Sequence, residues 1–441
     1  MELTRTLLNA NPTIPTARSV ALDILGNVLR RRRPLDDAVD ETPGIVQLTA
    51  RDRAFARLLV GTTLRRLGQI DVLIAHCLET ALPPRAAPIH DMLRLGITQL
   101  LFLRTPAHAA VATTVDLAEM RGFISHKGLV NAVLRRLAHD GLALIEQQDA
   151  AWLNTPRWLW ESWSTAYGED NARAIAEAHL HEAPLDITTR TDRTGWADRL
   201  SATVLPTGTL RRAGGGAIAN LPGYAEGAWW IQDAAAAIPT TLFGKIAGKA
   251  VIDLCAAPGG KTAQLAAAGA TVTAVDRSPR RLERVHTNLL RLGLKAQTVS
   301  ADAITWRPEK PAWGVLLDAP CTATGAIRRH PDVAHLKTAD DVTRLAAVQE
   351  RLLRSAVDAV EPGGMLIYCT CSLEPAEGPD QIDKLLATNV PLKRLPIRHE
   401  ELGGLREMIT SQGDLRTLPS HLAAYDGIDG FFAARLVRSD G

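Results

Sequence analysis

Four of the five cysteines stand in short stretches whose residue types could do chemistry. Cys255 lies in DLCAAPGGKT (253–262), Cys321 in LLDAPCTATG (316–325), and Cys369 and Cys371 share YCTCS (368–372). A thiol can act as nucleophile, metal ligand or redox partner. Zinc sites space paired cysteines by two to four residues, whereas 369 and 371 are separated by one, and no paired histidines accompany them. No metal is therefore expected. An odd, low cysteine count is no disulfide framework, and a Cys321–Cys371 disulfide would not be the working state in a reducing compartment. A small buried core cysteine and a nucleophile remain the two readings for each thiol.

The loop at 253–262 raises a second question, because it ends in Gly-Gly-Lys-Thr after the apolar run KAVIDL. A triphosphate loop needs glycine, four residues, then Gly-Lys-Ser/Thr. Here Cys255 occupies the place of the first glycine and Pro258 sits inside the loop, so a backbone wrap around phosphate is not expected. Gly259 and Gly260 still allow close backbone approach at the carboxyl end of a strand, where open α/β sheets bind ligands. Asp276 ends the next strand, in TAVDRS, where an acid takes ribose hydroxyls. Asp302 follows the third, in VSADA, placed to accept from an adenine amine. A glycine turn, a ribose acid and an adenine acid without a pyrophosphate cradle describe S-adenosylmethionine. The expected cofactor contacts are Cys255, Ala256, Ala257, Pro258, Gly259, Gly260, Lys261, Asp276, Asp302 and Asp318.

The elements that must hold these residues alternate from 249 onward. KAVIDLCAA, TVTAVDRS, AQTVSADA, WGVLLDAPC and GGMLIYCTC read as strands. GKTAQLAAAG, PRRLERVHTNLLRLG and DVTRLAAVQERLLRSAVDAV read as helices. Such alternation implies a parallel sheet with helices on both faces. LKRLPI and DGFFAARLVR lack a long helix between them and are expected as a reversed pair at one edge. Cys321 and Cys371 end adjacent strands and should face one crevice.

Upstream the pattern differs. Residues 1–142 carry apolar positions at three- and four-residue steps, giving an all-α domain. Arg30–Arg33, Arg135 and Arg136 suggest phosphate contact, although Asp36, Asp37, Asp40 and Glu41 follow the first run at once. Residues 143–245 read as a small α/β linking subdomain, rich in tryptophans more suited to core packing than to base stacking. Residues 246–441 form the catalytic domain.

Composition is ordinary for a globular chain: 46% hydrophobic and 22% charged over 441 residues, with a formal net charge of +2. Whole-chain charge thus argues neither for nor against nucleic acid. No apolar run reaches the roughly 20 residues that span a bilayer, and no secretory leader is read at the start, so a cytoplasmic protein is expected.

The stretches Ala257–Thr262, Asp318–Cys321 and Thr370–Ser372, with PAHAAVATTVDLAEMRG, KGLVNAVLRRL, WWIQDAAA and DGFFAARL, make the chain similar over nearly its whole length to the RNA cytosine-5 methyltransferases, in particular the bacterial RsmB/Sun (Fmu) branch. The resemblance implies a Rossmann-like methyltransferase sheet preceded by a NusB-like helical RNA-binding domain. It implies 5-methylcytosine formation in 16S ribosomal RNA. Naked or early-assembly RNA is the expected partner, and with no surplus apolar patch in the sequence a monomer is expected. Another RNA, transfer or 23S, is the alternative within the family, and a non-RNA methyl acceptor the alternative outside it. By the same resemblance Cys371 is the nucleophile toward carbon 6 of cytosine, Cys321 the base that releases product, and Asp318 a hydrogen-bond partner of the base. Arg328, Arg329 and His330 are expected on RNA phosphate. The chain departs from the pattern at Cys369, where many relatives have serine, and at Glu377-Gly378, where relatives commonly have Glu-Asn. Cys369 is expected to be dispensable.

Overall fold

The computed structural model describes residues 15–213 and 217–439. It divides into two compact units: one holds the chain to Pro156 together with His330–Leu336, the other holds Arg157–Arg329 and Lys337 onward. The helical unit extends past the expected 142 and takes in residues 143–156, while residues 157–245 share a unit with the large sheet.

The first unit is all helix. Its main helices are Ala17–Leu29, Ala50–Arg65, Leu67–Cys77, Ala87–Ile97, Ala107–Met120 and Lys127–Glu146. Thr16 and Thr49 cap the first two, each side chain accepting from the backbone N–H three residues on. The apolar faces share one core that includes Ile24, Leu59, Ile70, Met92, Val130 and Leu134, all fully or almost fully buried. The segment His330–Leu336 is built into this unit: Asp332 Oδ2 accepts from Leu35 N at 3.0 Å, and a His335 ring nitrogen lies 2.8 Å from Leu64 O.

The second unit carries two sheets. The smaller is antiparallel, with β1 (Leu185–Thr189), β2 (Thr203–Val204), β3 (Leu210–Arg212) and β4 (Trp229–Ile231) in the order β2-β3-β1-β4. The larger contains β5 (Ala250–Leu254), β6 (Thr271–Asp276), β7 (Gln297–Ser300), β8 (Ala312–Asp318), β9 (Val360–Thr370), β10 (Leu392–Arg394), β11 (Leu415–Thr417) and β12 (Phe431–Arg438). Its order is β10-β12-β9-β8-β5-β6-β7, with β11 also paired to β12. Strands β5 to β9 are parallel, and β12 runs against both β9 and β10, which gives the expected reversed edge. Central strands are buried on both faces, which is why VIDL and GVLLD read as nearly continuous apolar runs. Helices Gly260–Ala267, Pro279–Leu292 and Ala339–Ala359 link the parallel strands. The chain runs from β5 through β6 to β7 on one side, then crosses to β8 and β9 on the other, so the carboxyl ends of β5 and β8 flank the point where strand order reverses.

Candidate active site

The loop after β5 is held open by unusual backbone. Cys255 has φ +62° and Gly259 φ +100°, both in the region that side chains with a Cβ disfavour. A Cβ on Gly259 would also stand 3.1 Å from Val285 Cγ1, so only glycine fits the turn into helix Gly260–Ala267. Thr262 Oγ1 donates to Asp253 Oδ2 at 2.6 Å and closes the loop base. Asp276 accepts from Ala257 N at 3.2 Å and Ser278 N at 2.9 Å, one bond on each oxygen. A carboxylate oxygen carries two lone pairs, so both remain able to accept a ligand hydroxyl. Asp302 is exposed after β7 and accepts from Ile304 N through Oδ1 alone. Loop, turn and acids thus fit a nucleoside ligand: backbone without a Cβ at the turn, and acceptors on the next two strand ends.

The strand ends of β8 and β9 bring the predicted cysteines together. Cys321 and Cys371 sulfurs lie 3.5 Å apart. The hydrogen bond to Cys371, together with burial, pushes the Cys321 thiol well above the usual range, so one proton stays on that sulfur. Asp318 is gripped on both oxygens. Lys261 Nζ donates to Oδ2 at 2.8 Å, and the Cys369 thiol lies 3.6 Å from Oδ1. Burial opposes the charge on Lys261, but Asp318 and the neighbouring sulfurs outweigh it and hold the ammonium firmly protonated. The same ammonium stands 5.1 Å from the Phe431 ring centre, a cation–π distance. Burial keeps the Cys369 thiol protonated as well, and Cys255, buried near Asp318 and Asp276, is pushed up to about 12.

The expected phosphate contacts do not survive in this form. Arg328 is 2% exposed, with Nε 3.2 Å from Asp429. Arg329 bonds Asp233 at 2.6 Å, Asp429 at 3.0 Å and Asp186 at 3.2 Å. Arg211 joins the cluster through Asp186 at 2.7 Å. Three arginines thus neutralise three buried carboxylates, and their forks are spent on structure. His330 is exposed but belongs to the helical unit, 3.8 Å from Asp36. Arg30 and Arg33 are likewise paired, with Asp91 and Glu41. Arg135 and Arg136 do lie exposed on helix Lys127–Glu146, bonded only to Asn131 and His76. Of the tryptophans expected in a core, Trp160 and Trp163 are buried, Trp158 is half-buried, and Trp152 is 46% exposed.

Sequence reading missed the acids behind the cysteines. Glu377 is fully buried and accepts from Thr322 and Ser372, the residues that follow Cys321 and Cys371. Glu374 accepts from Trp163 Nε1 at 3.2 Å and from Ser162, so the tryptophan helix Arg157–Tyr167 braces the Cys371 loop. The only signal was the acidic spacing EPAEG directly after the second cysteine motif. Among the described residues no cluster of three or more His, Cys, Asp or Glu could hold a metal, and no helix is long and apolar enough to cross a membrane.

A parallel sheet with a glycine turn after its central strand, acids on the next two strand ends and a reversed edge strand defines a Rossmann-like methyltransferase. Comparison with known proteins narrows the class. Residues 242–437 match the family of 16S rRNA methyltransferase RsmB/F, and residues 15–139 match the NusB family. The chain is 34% identical to ribosomal RNA small subunit methyltransferase B of Pseudomonas putida, over 97% of this chain and 98% of the relative. It is also 34% identical to the protein of the same name from Cronobacter sakazakii, over 96% and 98%. Among solved structures, PH0851 shares the fold with a TM-score of 0.74 at 22% identity, covering 96% of this chain and 98% of that one. A methyltransferase homologue from Pyrococcus horikoshii gives 0.53 at 25% identity, covering 63% and 93%. The chain belongs to the RsmB/F methyltransferase family, with a NusB-type helical domain in front.

Proposed function

We propose that this protein transfers a methyl group from S-adenosylmethionine to carbon 5 of a cytosine in 16S ribosomal RNA, through a covalent bond between Cys371 and carbon 6. The observation that carries this reading is the pair of thiols 3.5 Å apart at neighbouring strand ends, beside an Asp318 held by Lys261. Nitrogen and oxygen acceptors need no covalent activation; a pyrimidine carbon does. The names of the relatives favour the small-subunit RNA over other RNAs.

S-adenosylmethionine, when bound, supplies an electrophilic methyl; the loop Cys255–Lys261, Asp276 and Asp302 would hold it. The Cys371 thiolate adds to carbon 6, and the C5–C6 π pair moves onto carbon 5, which takes the methyl. Asp318 accepts from the exocyclic amine beside the ring nitrogen and orients the base. Its ion pair with Lys261 keeps it an acceptor, suited to cytosine's amine rather than a carbonyl. Cys321 then removes the carbon 5 proton, the pair returns to the C5–C6 bond, and the Cys371 sulfur is expelled.

The two sulfurs change roles in order. While Cys371 is free, its hydrogen bond to Cys321 keeps the latter protonated. Once the Cys371 sulfur is bonded to carbon, that cause is gone while burial and Glu377 still favour the thiol, so Cys321 must pass its own proton to water before it acts as base. The test is methyl transfer from isotopically labelled S-adenosylmethionine to transcribed 16S RNA, digested to nucleosides. Label in 5-methylcytidine is expected; label in an N-methyl or ribose-methyl nucleoside would contradict the reading. The target base must leave its stack to reach the crevice.

A further inference from the structure

Two loops must present two sulfurs to opposite ends of one C5–C6 bond. Direct bonds tie the loops together: Gly325 N donates to Cys371 O at 3.0 Å, and Leu373 N to Thr324 Oγ1 at 3.0 Å. These fix the backbone on the far side of the cysteines. The residues immediately after the cysteines also meet directly, the Thr322 and Ser372 hydroxyls lying 3.2 Å apart, and a common holder accepts from both.

That holder is Glu377. Thr322 N lies 3.0 Å from its Oε1 and 3.2 Å from its Oε2, and the Thr322 hydroxyl also donates to Oε2. The Ser372 hydroxyl donates to Oε2 at 2.6 Å, and Gln349 Nε2 to Oε1 at 3.0 Å. Gln349 also donates to Pro320 O at 2.9 Å, on the other side of Cys321. The backbone carbonyl of Glu377 is fixed in turn by Tyr368 OH at 2.8 Å and Thr370 Oγ1 at 3.2 Å, both on β9. Arg416 Nη1 steadies Ser372 from the other side, donating to its carbonyl at 2.6 Å.

Among the described residues the Glu377 carboxylate has no ion-pair partner, so its burial is costly and burial raises its pKa. A glutamine would be cheaper to bury but offers one acceptor oxygen instead of two. Four donors from three elements converge here, and only a carboxylate can accept from all of them.

We propose that Glu377 is the positioning residue of the thiol pair: one buried carboxylate that sets the separation of Cys321 and Cys371 by gripping the residue after each. It touches neither base nor cofactor. The inference rests on the reading that both thiols act on one base, but its geometric content can be tested without RNA.

In Glu377→Gln one oxygen becomes an amide: with the remaining oxygen at Oε2 the Thr322 and Ser372 hydroxyls keep their acceptor, while Thr322 N and Gln349 Nε2 meet an NH2 in place of Oε1, so the grip on the Cys321 side loosens. A displacement of about 1 Å costs on the order of 100-fold in rate. The expected result is a roughly 10- to 100-fold fall in kcat, with KM for S-adenosylmethionine unchanged within about twofold. The readout that separates positioning from general folding is the rate at which diamide closes a Cys321–Cys371 disulfide, followed by peptide mass mapping on folded protein without substrate. Sulfurs in contact oxidise readily, and the rate should fall about tenfold in the variant. Wild-type kcat would overturn the proposal, and so would a low kcat with an unchanged oxidation rate. If Glu377→Gln does not fold, Ser372→Ala removes one grip only. It should slow both readouts severalfold, and wild-type values in both would overturn the proposal. Because oxidation needs no RNA, a normal oxidation rate speaks against the clamp, and absent 5-methylcytidine in wild type speaks against the activity.

Discussion

Asp318 and Asp253 sit on neighbouring strands and meet opposite fates. Asp318 is half-buried, receives the Lys261 ammonium and remains an acceptor toward the crevice. Asp253 is fully buried, receives only the Thr262 hydroxyl, and burial pushes it up to about 7. That second shift is a statement about stability. Below roughly pH 4 the carboxyl is protonated in both the folded and the unfolded chain. As pH rises from there toward 7 the unfolded chain loses its proton first, so stability falls by roughly 1.4 kcal/mol per pH unit, then levels. Asp253→Asn keeps an acceptor for Thr262 and removes the titration. Its melting temperature should gain on the parent steadily between pH 4 and 7; parallel curves would show that Asp253 does not titrate there. The strand-end acids and cysteines were legible in the sequence, because strand register alone puts them at one edge. Glu377 was not, because its meaning depends on which side chains three separate elements aim at it.

At the scale of elements, the corrected arginines are instructive. RRH after a catalytic loop reads as a phosphate grip, yet Arg329 is the centre of a buried cluster. Its partners come from β1, from the cap of helix Ala234–Thr241 and from the turn before β12. No local pattern announces carboxylates at 186, 233 and 429, so the cluster could not be read from spacing. The cluster joins the small sheet to the loop that carries Cys321, which explains why that sheet shares a unit with the large one. Arg329→Met should therefore cost about 3–5 kcal/mol of stability, since it leaves carboxylates buried without their cation. RNA affinity per folded molecule should stay within about twofold. A well-folded variant with strongly weakened RNA binding, read by filter binding beside a denaturant melt, would restore the phosphate role. Periodicity served the helices well for the opposite reason: burial of one face repeats every three or four residues and needs no distant partner.

The whole molecule is two units with independent cores, and the large sheet is where sequence and structure agree most closely. Alternation of strand and helix admits few arrangements, and right-handed parallel crossovers with a reversed edge leave little else. The division between units was harder to read. Helix Ala150–Asn154 belongs with the helical unit and helix Arg157–Tyr167 with the sheet unit, while only Thr155 and Pro156 separate them in the chain. The seven residues His330–Leu336 are assigned to the helical unit although the chain around them builds the sheet. Such an exchange leaves no compositional mark.

The central claim is that Cys371 bonds RNA and Cys321 releases it. The most direct measurement incubates wild type, Cys321→Ala and Cys371→Ala with S-adenosylmethionine and transcribed 16S RNA, then resolves them on a denaturing gel. Cys321→Ala should accumulate a stable protein–RNA adduct, because the carbon 5 proton has no acceptor, and Cys371→Ala should form none. If neither variant traps RNA while wild type still methylates it, covalent catalysis by this thiol pair is contradicted.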